Sequence, residues 1–181
     1  HDLGLDVGWL RYRTLEDPTC SPETLLLAEE DERLVGVCLG AVREGKGMIK
    51  LFGVHPSYRR RGIASGLFDR LEANLARRGV QEVVAGALGP NYVEPGVNVL
   101  HTDQVCFLIQ RGYSTDRAAR INMQVDLDRA PLDTSADEAR LAAEGIILRR
   151  AQRGEVATVA QFAKERFSEG WRWEVAETGR H

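Results

Sequence analysis

The densest chemical information in this chain lies in Val54-His-Pro-Ser-Tyr-Arg-Arg-Arg-Gly-Ile-Ala-Ser65. The segment leaves an apolar run, turns at His55-Pro56 and opens a helical pattern at Gly62. The first N–H groups of a helix have no internal partner, and the helix dipole places partial positive charge at the same end. A glycine there lets another group come close to the backbone, and Arg59, Arg60 and Arg61 add charge beside it. Such a combination binds phosphate. The plainer alternative is a solvated arginine turn ahead of an ordinary helix. Cys20, Cys38 and Cys106 offer less. They match no metal-ligand spacing, so no metal site is expected. No motif supplies the nearby base that a reactive thiolate needs. Cys38 and Cys106 sit in apolar runs and read as core.

The elements that must hold this segment are legible on either side of it. Thr24 to Glu29 and Leu34 to Val42 read as two strands of a hairpin across the charged turn at 30–33. In the second, Val35, Val37, Leu39 and Ala41 share one face, and Gly36 and Gly40 the other. Met48 to Val54 is nearly all apolar, the pattern of a strand covered on both faces, and Pro56 ends it. The period then changes from 2 to 3.6. Ile63, Leu67, Leu71 and Leu75 predict a helix from about Gly62 to Arg78, with Gly79 as its stop. Gln81 to Ala87 is the next strand, so the helix is a crossover and the strands it joins are parallel. A short helix from Thr102 or Asp103 to Gly112 turns Val105, Leu108 and Ile109 inward. Tyr113 to Arg117 is a weak strand, and Ile121 to Leu127 alternates as a half-exposed one.

The chain has 181 residues, a net charge of -3 and 43% hydrophobic residues, enough for a real core. The acidic balance and the lack of aromatic interleaving argue against a nucleic-acid partner. No apolar run approaches the ~20 residues of a bilayer span, so no membrane partner is expected. The first residues lack the pattern of a signal peptide. An odd, sparse set of cysteines fits a reducing cytoplasm.

Arg59-x-x-Gly62-x-Ala64 after a Val-x-Pro strand end resembles the acetyl-CoA pyrophosphate motif of the GNAT N-acetyltransferases. The order of elements over residues 24 to 127 is similar too, and Phe107 through Tyr113 resembles that family's helix and Gly-aromatic turn. The resemblance implies a mixed, mostly antiparallel α/β sheet flanked by helices on both faces. It implies acetyl-CoA as cosubstrate and a small-molecule or peptide amine as acceptor. The backbone of Phe52, Gly53 and Val54 would pair with the pantetheine arm. The amides of Arg60, Arg61, Gly62, Ile63, Ala64 and Ser65 would cradle the pyrophosphate, with Arg59 at the motif's first position. The reaction needs a base for the amine and an acid for the thiolate. Many family members carry a tyrosine where this chain has Leu108. Tyr92 is a substitute acid and Glu94 a base candidate, both in the loop Asn91-Tyr-Val-Glu-Pro-Gly-Val-Asn98; the alternative is a packing aromatic and a solvated charge. His55 and His101 are further base candidates, against plainer roles in a turn and at a helix entry. A non-catalytic module that binds CoA or a partner domain is the second reading.

The ends of the chain depart from the family pattern. The first 23 residues read as irregular, so the family's opening strand and helix are not evident. Instead Ile146 to Leu148 reads as a strand, followed by a helix over Val156, Val159, Ala160, Ala163 and Phe167 and then Trp171 and Trp173. This similarity to a family beginning suggests a piece of a tandem protein: a first domain over 1–128, a linker over 129–144 and a second start over 145–181. Alternatively the tail completes the first domain, in cis or by swapping into a homodimer. The 18 linking residues from Asp128 to Gly145 span up to roughly 60 Å when extended.

Overall fold

The computed structural model describes residues 6–86, 89–115, 123, 125–128 and 133–178. The chain divides into two compact units, residues 1–117 and 118–181.

The first unit opens on helix α1 (Val7–Arg13), where the sequence reads as irregular. Asp6 caps it by accepting a hydrogen bond from Trp9 N at 3.0 Å. The signal is short, because seven residues give too few turns for a periodic apolar face. Strands β1 (Leu25–Glu30), β2 (Arg33–Arg43), β3 (Lys46–Val54) and β4 (Val83–Ala85) form one sheet in that order. β1, β2 and β3 are antiparallel, and β4 runs parallel to β3 after helix α2 (Ile63–Arg77). The expected mixed, mostly antiparallel α/β architecture is therefore present.

Cross-strand partners Gly36–Val54, Cys38–Phe52 and Gly40–Ile49 share one face of the sheet, and α2 packs on it. The helix comes so close that a Cβ on Gly40 would stand 2.8 Å from Leu71. Leu67, Phe68, Leu71 and Leu75 are buried there with Cys38, Ile49 and Leu108. Helix α3 (Thr102–Gln110) joins this core through Phe107 and Leu108. Phe107 stands edge-on to Phe68, with ring centroids 5.0 Å apart. Ile109 faces out, contrary to the sequence reading, because Phe107 and Leu108 take the inward positions. Arg111 donates to Asp69 and Glu72 at 2.8 and 2.6 Å, and the Tyr113 hydroxyl donates to Glu72 at 2.8 Å, so the end of α3 is tied to α2. Residues 113–115 form no strand; 116 and 117 lie outside the described residues.

Cys106 is exposed on α3, also contrary to expectation, whereas Cys38 is buried. Burial pushes the Cys38 thiol up to about 12, and the Glu72 carboxylate adds to the shift. Iodoacetamide at pH 8 should therefore alkylate Cys106 in the native protein and Cys38 only after denaturation. Peptide mass mapping reads the difference, and equal labelling of the two would contradict this core.

The second unit contains α4 (Ser135–Ala143), α5 (Val156–Arg166) and α6 (Glu169–Thr178). Helix α5 forms where expected, but of the expected apolar face only Ala160 and Ala163 are buried; Val159 is exposed, and Phe167 caps the helix and is exposed. Ile146–Leu148 forms no strand: its residues favour one, but strand formation is completed by a partner and not by local preference. The half-exposed strand expected over Ile121 to Leu127 falls partly outside the described residues, and residues 123 and 125–127 are not in a strand. No helix among the described residues is long and apolar enough to cross a membrane.

Candidate functional site

Among the described residues, β3 and β4 pair from Gly47–Val83 to Ile49–Ala85. β3 then continues to Val54 with β2 as its neighbour. The register of β2 against β3 shifts by one residue between Leu39 and Gly40, a bulge at Lys50 that bends the strand at this parting. Beyond it, His55 N donates to Val35 O at 2.8 Å, toward β2. Alternation along a strand then turns the N–H and C=O of Phe52 and Val54 away from β2, onto an edge that no strand covers among the described residues. Arg59 Nε reaches Val54 O on this edge at 3.4 Å. The Phe52 ring is held by Phe68, edge-on at 5.0 Å, so its backbone is fixed by the core. A Cβ on Gly53 would meet no protein atom within 4 Å. The strand therefore offers a rigid row of polar groups beside open space.

The edge leads directly to the mouth of α2. Arg60 and Gly62 both have left-handed backbones, with φ of 63° and 80°. Two left-handed residues within three positions bend the backbone sharply just ahead of α2. The first α-helical bond runs from Gly66 N to Gly62 O at 3.0 Å. Among the described residues, no N–H from 60 to 65 donates to another backbone group. The segment read from the sequence as an anion site thus carries a run of amides ahead of α2 that donate to no backbone group among the described residues.

The three arginines divide their work. Arg61 turns away to Glu30, at 2.7 Å, and lies over the Tyr58 ring. Its side chain ties the loop to β1. Arg59 bridges from Val54 O to Asp103 in the first turn of α3, at 3.2 Å. Arg60 is exposed and has no side-chain partner among the described residues.

Of the other candidates, His55 accepts from Ser57 N at 3.3 Å through Nδ1 and packs beside Tyr58, a turn role. His101 is exposed at the N-cap of α3. Leu108 is buried in the core. Tyr92 and Glu94 lie on the loop after β4. That loop returns to the parting of the strands: Gly86 N donates to Ile49 O at 3.0 Å, and Gly96 lies directly against Gly86. Tyr92 is 37% exposed, and Glu94 is partly buried. Neither has a hydrogen-bond or ionic partner among the described residues.

A buried ionic cluster on the face opposite α2 escapes sequence reading. Asp17 Oδ2 accepts from Arg43, from Lys50 Nζ and from Asn91 Nδ2, the last at 2.9 Å. Asp17 Oδ1 accepts from Thr19 N and Oγ1 at 2.8 and 2.6 Å. Burial drives the Asp17 carboxyl upward, but hydrogen bonds from Lys50 and Thr19 outweigh it, and the group is held below its ordinary value. The one available signal was Lys50 itself, a cation inside a run read as covered on both faces. Among the described residues, no group of three or more His, Cys, Asp or Glu is placed to hold a metal ion.

Residues 4–93 match the model of the acetyltransferase (GNAT) family. An acetyltransferase from Sodalis glossinidius is 39% identical over 70 residues, covering 39% of this chain and 49% of its own length. One from Yersinia pestis is 43% identical over 58 residues, covering 32% and 41%. The chain thus spans about half the length, or less, of these curated relatives. A solved ribosomal-protein-alanine N-acetyltransferase from Brucella melitensis aligns at 20% identity and a TM-score of 0.49, over 64% of this chain and 79% of its own. The matched span contains β3 and the whole Arg59-x-x-Gly62-x-Ala64 motif, and the chain belongs to the GNAT family of acetyltransferases.

Proposed function

We propose that this chain binds acetyl-CoA at the mouth of α2 and transfers its acetyl group to an amine. The observation that carries the reading is the run of undonated N–H groups from Arg60 to Ser65, curved by the left-handed Arg60 and Gly62. A diphosphate accepts several of them at once, and the Arg60 side chain adds a charge-assisted contact. The outward N–H and C=O of Phe52 and the N–H of Val54 suit an amide-bearing arm lying along β3 as an extra strand.

Acetyl-CoA supplies an acetyl group activated as a thioester. A β3 N–H aimed at the thioester oxygen would stabilise the charge that develops there. The amine nitrogen forms the new C–N bond while the C–S bond breaks. Glu94 takes the amine proton, and Tyr92 protonates the departing thiolate. Much of the rate would come from holding the two reactants together. The acceptor class is an amine of a small molecule or a peptide.

The buried Leu108 favours a second reading, a module that holds CoA without turning it over. One experiment separates the two. Calorimetry should show acetyl-CoA binding and no comparable heat with ATP. Release of free thiol is then followed with spermidine, an aminoglycoside and an amino-terminal peptide. Amine-dependent thiol release supports catalysis, whereas binding without release supports the module. No binding of acetyl-CoA would overturn both.

A further inference from the structure

Asp17, Arg43, Lys50 and Asn91 come from four separate segments and meet on one buried carboxylate. Lys50 is the bulged residue at which β3 leaves β4, directly ahead of the free edge at Phe52 and Val54. Asn91 opens the loop that carries Tyr92 and Glu94. The carboxylate therefore links the strand proposed to carry the thioester with the loop proposed to carry the acid and base.

The link also sets direction. Asn91 is 1% exposed and has a left-handed backbone, with φ of 60°. Its side chain points inward to Asp17, and the next residue, Tyr92, emerges at 37% exposure. Turning Asn91 outward would swing Tyr92 with it. Farther along, Val97 packs against the core and Gly96 lies against Gly86, where a Cβ would stand 2.8 Å from Gly96 Cα. The loop is thus held at both ends, with Tyr92 and Glu94 between the two anchors.

We infer that Asp17 and Asn91 are positioning residues, which aim the Tyr92–Glu94 loop at the thioester end of the β3 edge. This inference rests on the acetyl-transfer reading. Asp17 itself touches no reacting atom; it acts through Asn91.

Asn91→Ala in the full chain tests it, because the variant keeps the contacts of Asp17 with Lys50 and Arg43 and removes the hydrogen bond from Asn91 Nδ2. Hydrogen exchange of residues 92–98 is followed by mass spectrometry, acetyl-CoA affinity by calorimetry, and kcat with whichever of the three amines above turns over fastest. The expected result is exchange at 92–98 faster by tenfold or more, as ordering of the segment is lost. With it, kcat should fall by about 10- to 100-fold, the scale of a misplaced catalytic group, while the acetyl-CoA dissociation constant stays within about twofold because its cradle is not touched. Asn91→Ser, too short to reach Asp17, should behave alike and serves if the alanine variant does not fold. Exchange equal to wild type overturns the inference, as does faster exchange with kcat retained. A wild-type chain that binds no acetyl-CoA in the same titration brings down the acetyl-transfer reading, and the positioning role with it.

Discussion

Valine at position 62 should weaken acetyl-CoA binding by about a hundredfold, equivalent to losing about 3 kcal/mol of contact with the diphosphate. Gly62 sits at φ 80°, and a Cβ there would meet no protein atom within 4 Å. The obstacle is conformational. A left-handed backbone costs an ordinary L-residue about 1–2 kcal/mol, and a β-branched one more. The loop can relieve that cost by leaving the left-handed region, but then the N–H groups from Arg60 to Ser65 no longer converge. Two lost charge-assisted hydrogen bonds at about 1.5–3 kcal/mol each account for the predicted drop. Gly79 supplies the control. It stands just beyond the other end of α2 with φ 81° and similarly open space. Gly79→Val should carry the same strain and a similar fall in melting temperature, yet keep its affinity for acetyl-CoA. Calorimetric titration of both variants reads the contrast. Equal affinities in wild type and Gly62→Val would remove this loop from the binding site.

The turn proposed to hold the anion was legible because all its parts are local. The strand end, Pro56, the arginines and Gly62 lie within a dozen residues, and the 3.6 period of Ile63, Leu67, Leu71 and Leu75 fixes where the helix begins. β1, β2 and β3 were legible for the same reason, each being a run of residues bounded by a turn. Nonlocal features were not. Ile146–Leu148 has the residue types of a strand and forms none, because pairing is decided elsewhere in the chain. The pairing of Arg61 with Glu30, 31 residues earlier, could not be read from spacing. The Asp17 cluster is the extreme case. Its members are 26, 33 and 74 residues from the carboxylate, and no spacing rule connects them. What could be read was only an anomaly, a lysine within an otherwise apolar strand, which requires a buried anion without saying which one.

That anomaly carries the largest stability prediction. Asp17→Ala should destabilise the first unit by about 3–5 kcal/mol, because it strands the Lys50 and Arg43 charges in a site closed to water. The Lys50 side chain is fully buried, so no bulk solvent replaces the lost partner. For a domain of this size the melting temperature should fall by roughly 10–20 °C. Lys50→Met added to Asp17→Ala should recover part of the loss, since the stranded charge is then removed as well. A recovery of zero would mean that the cost comes from packing alone. The same carboxylate fixes a dependence on pH. Its pKa in the folded chain is lowered, by hydrogen bonds from Lys50 and Thr19 that outweigh the upward push of burial. A depressed carboxyl contributes stability that is complete above its unfolded value, about 3.9, and is lost as pH falls from there through the folded value. Asp17→Asn has no proton to bind at this site and lacks that contribution at every pH. The gap in urea midpoint between wild type and Asp17→Asn should therefore be constant from pH 7 to about pH 5 and narrow below about pH 4. A gap that widens with acidity would require a carboxyl raised by burial instead of lowered by its partners, and would remove Lys50 as its counter-charge.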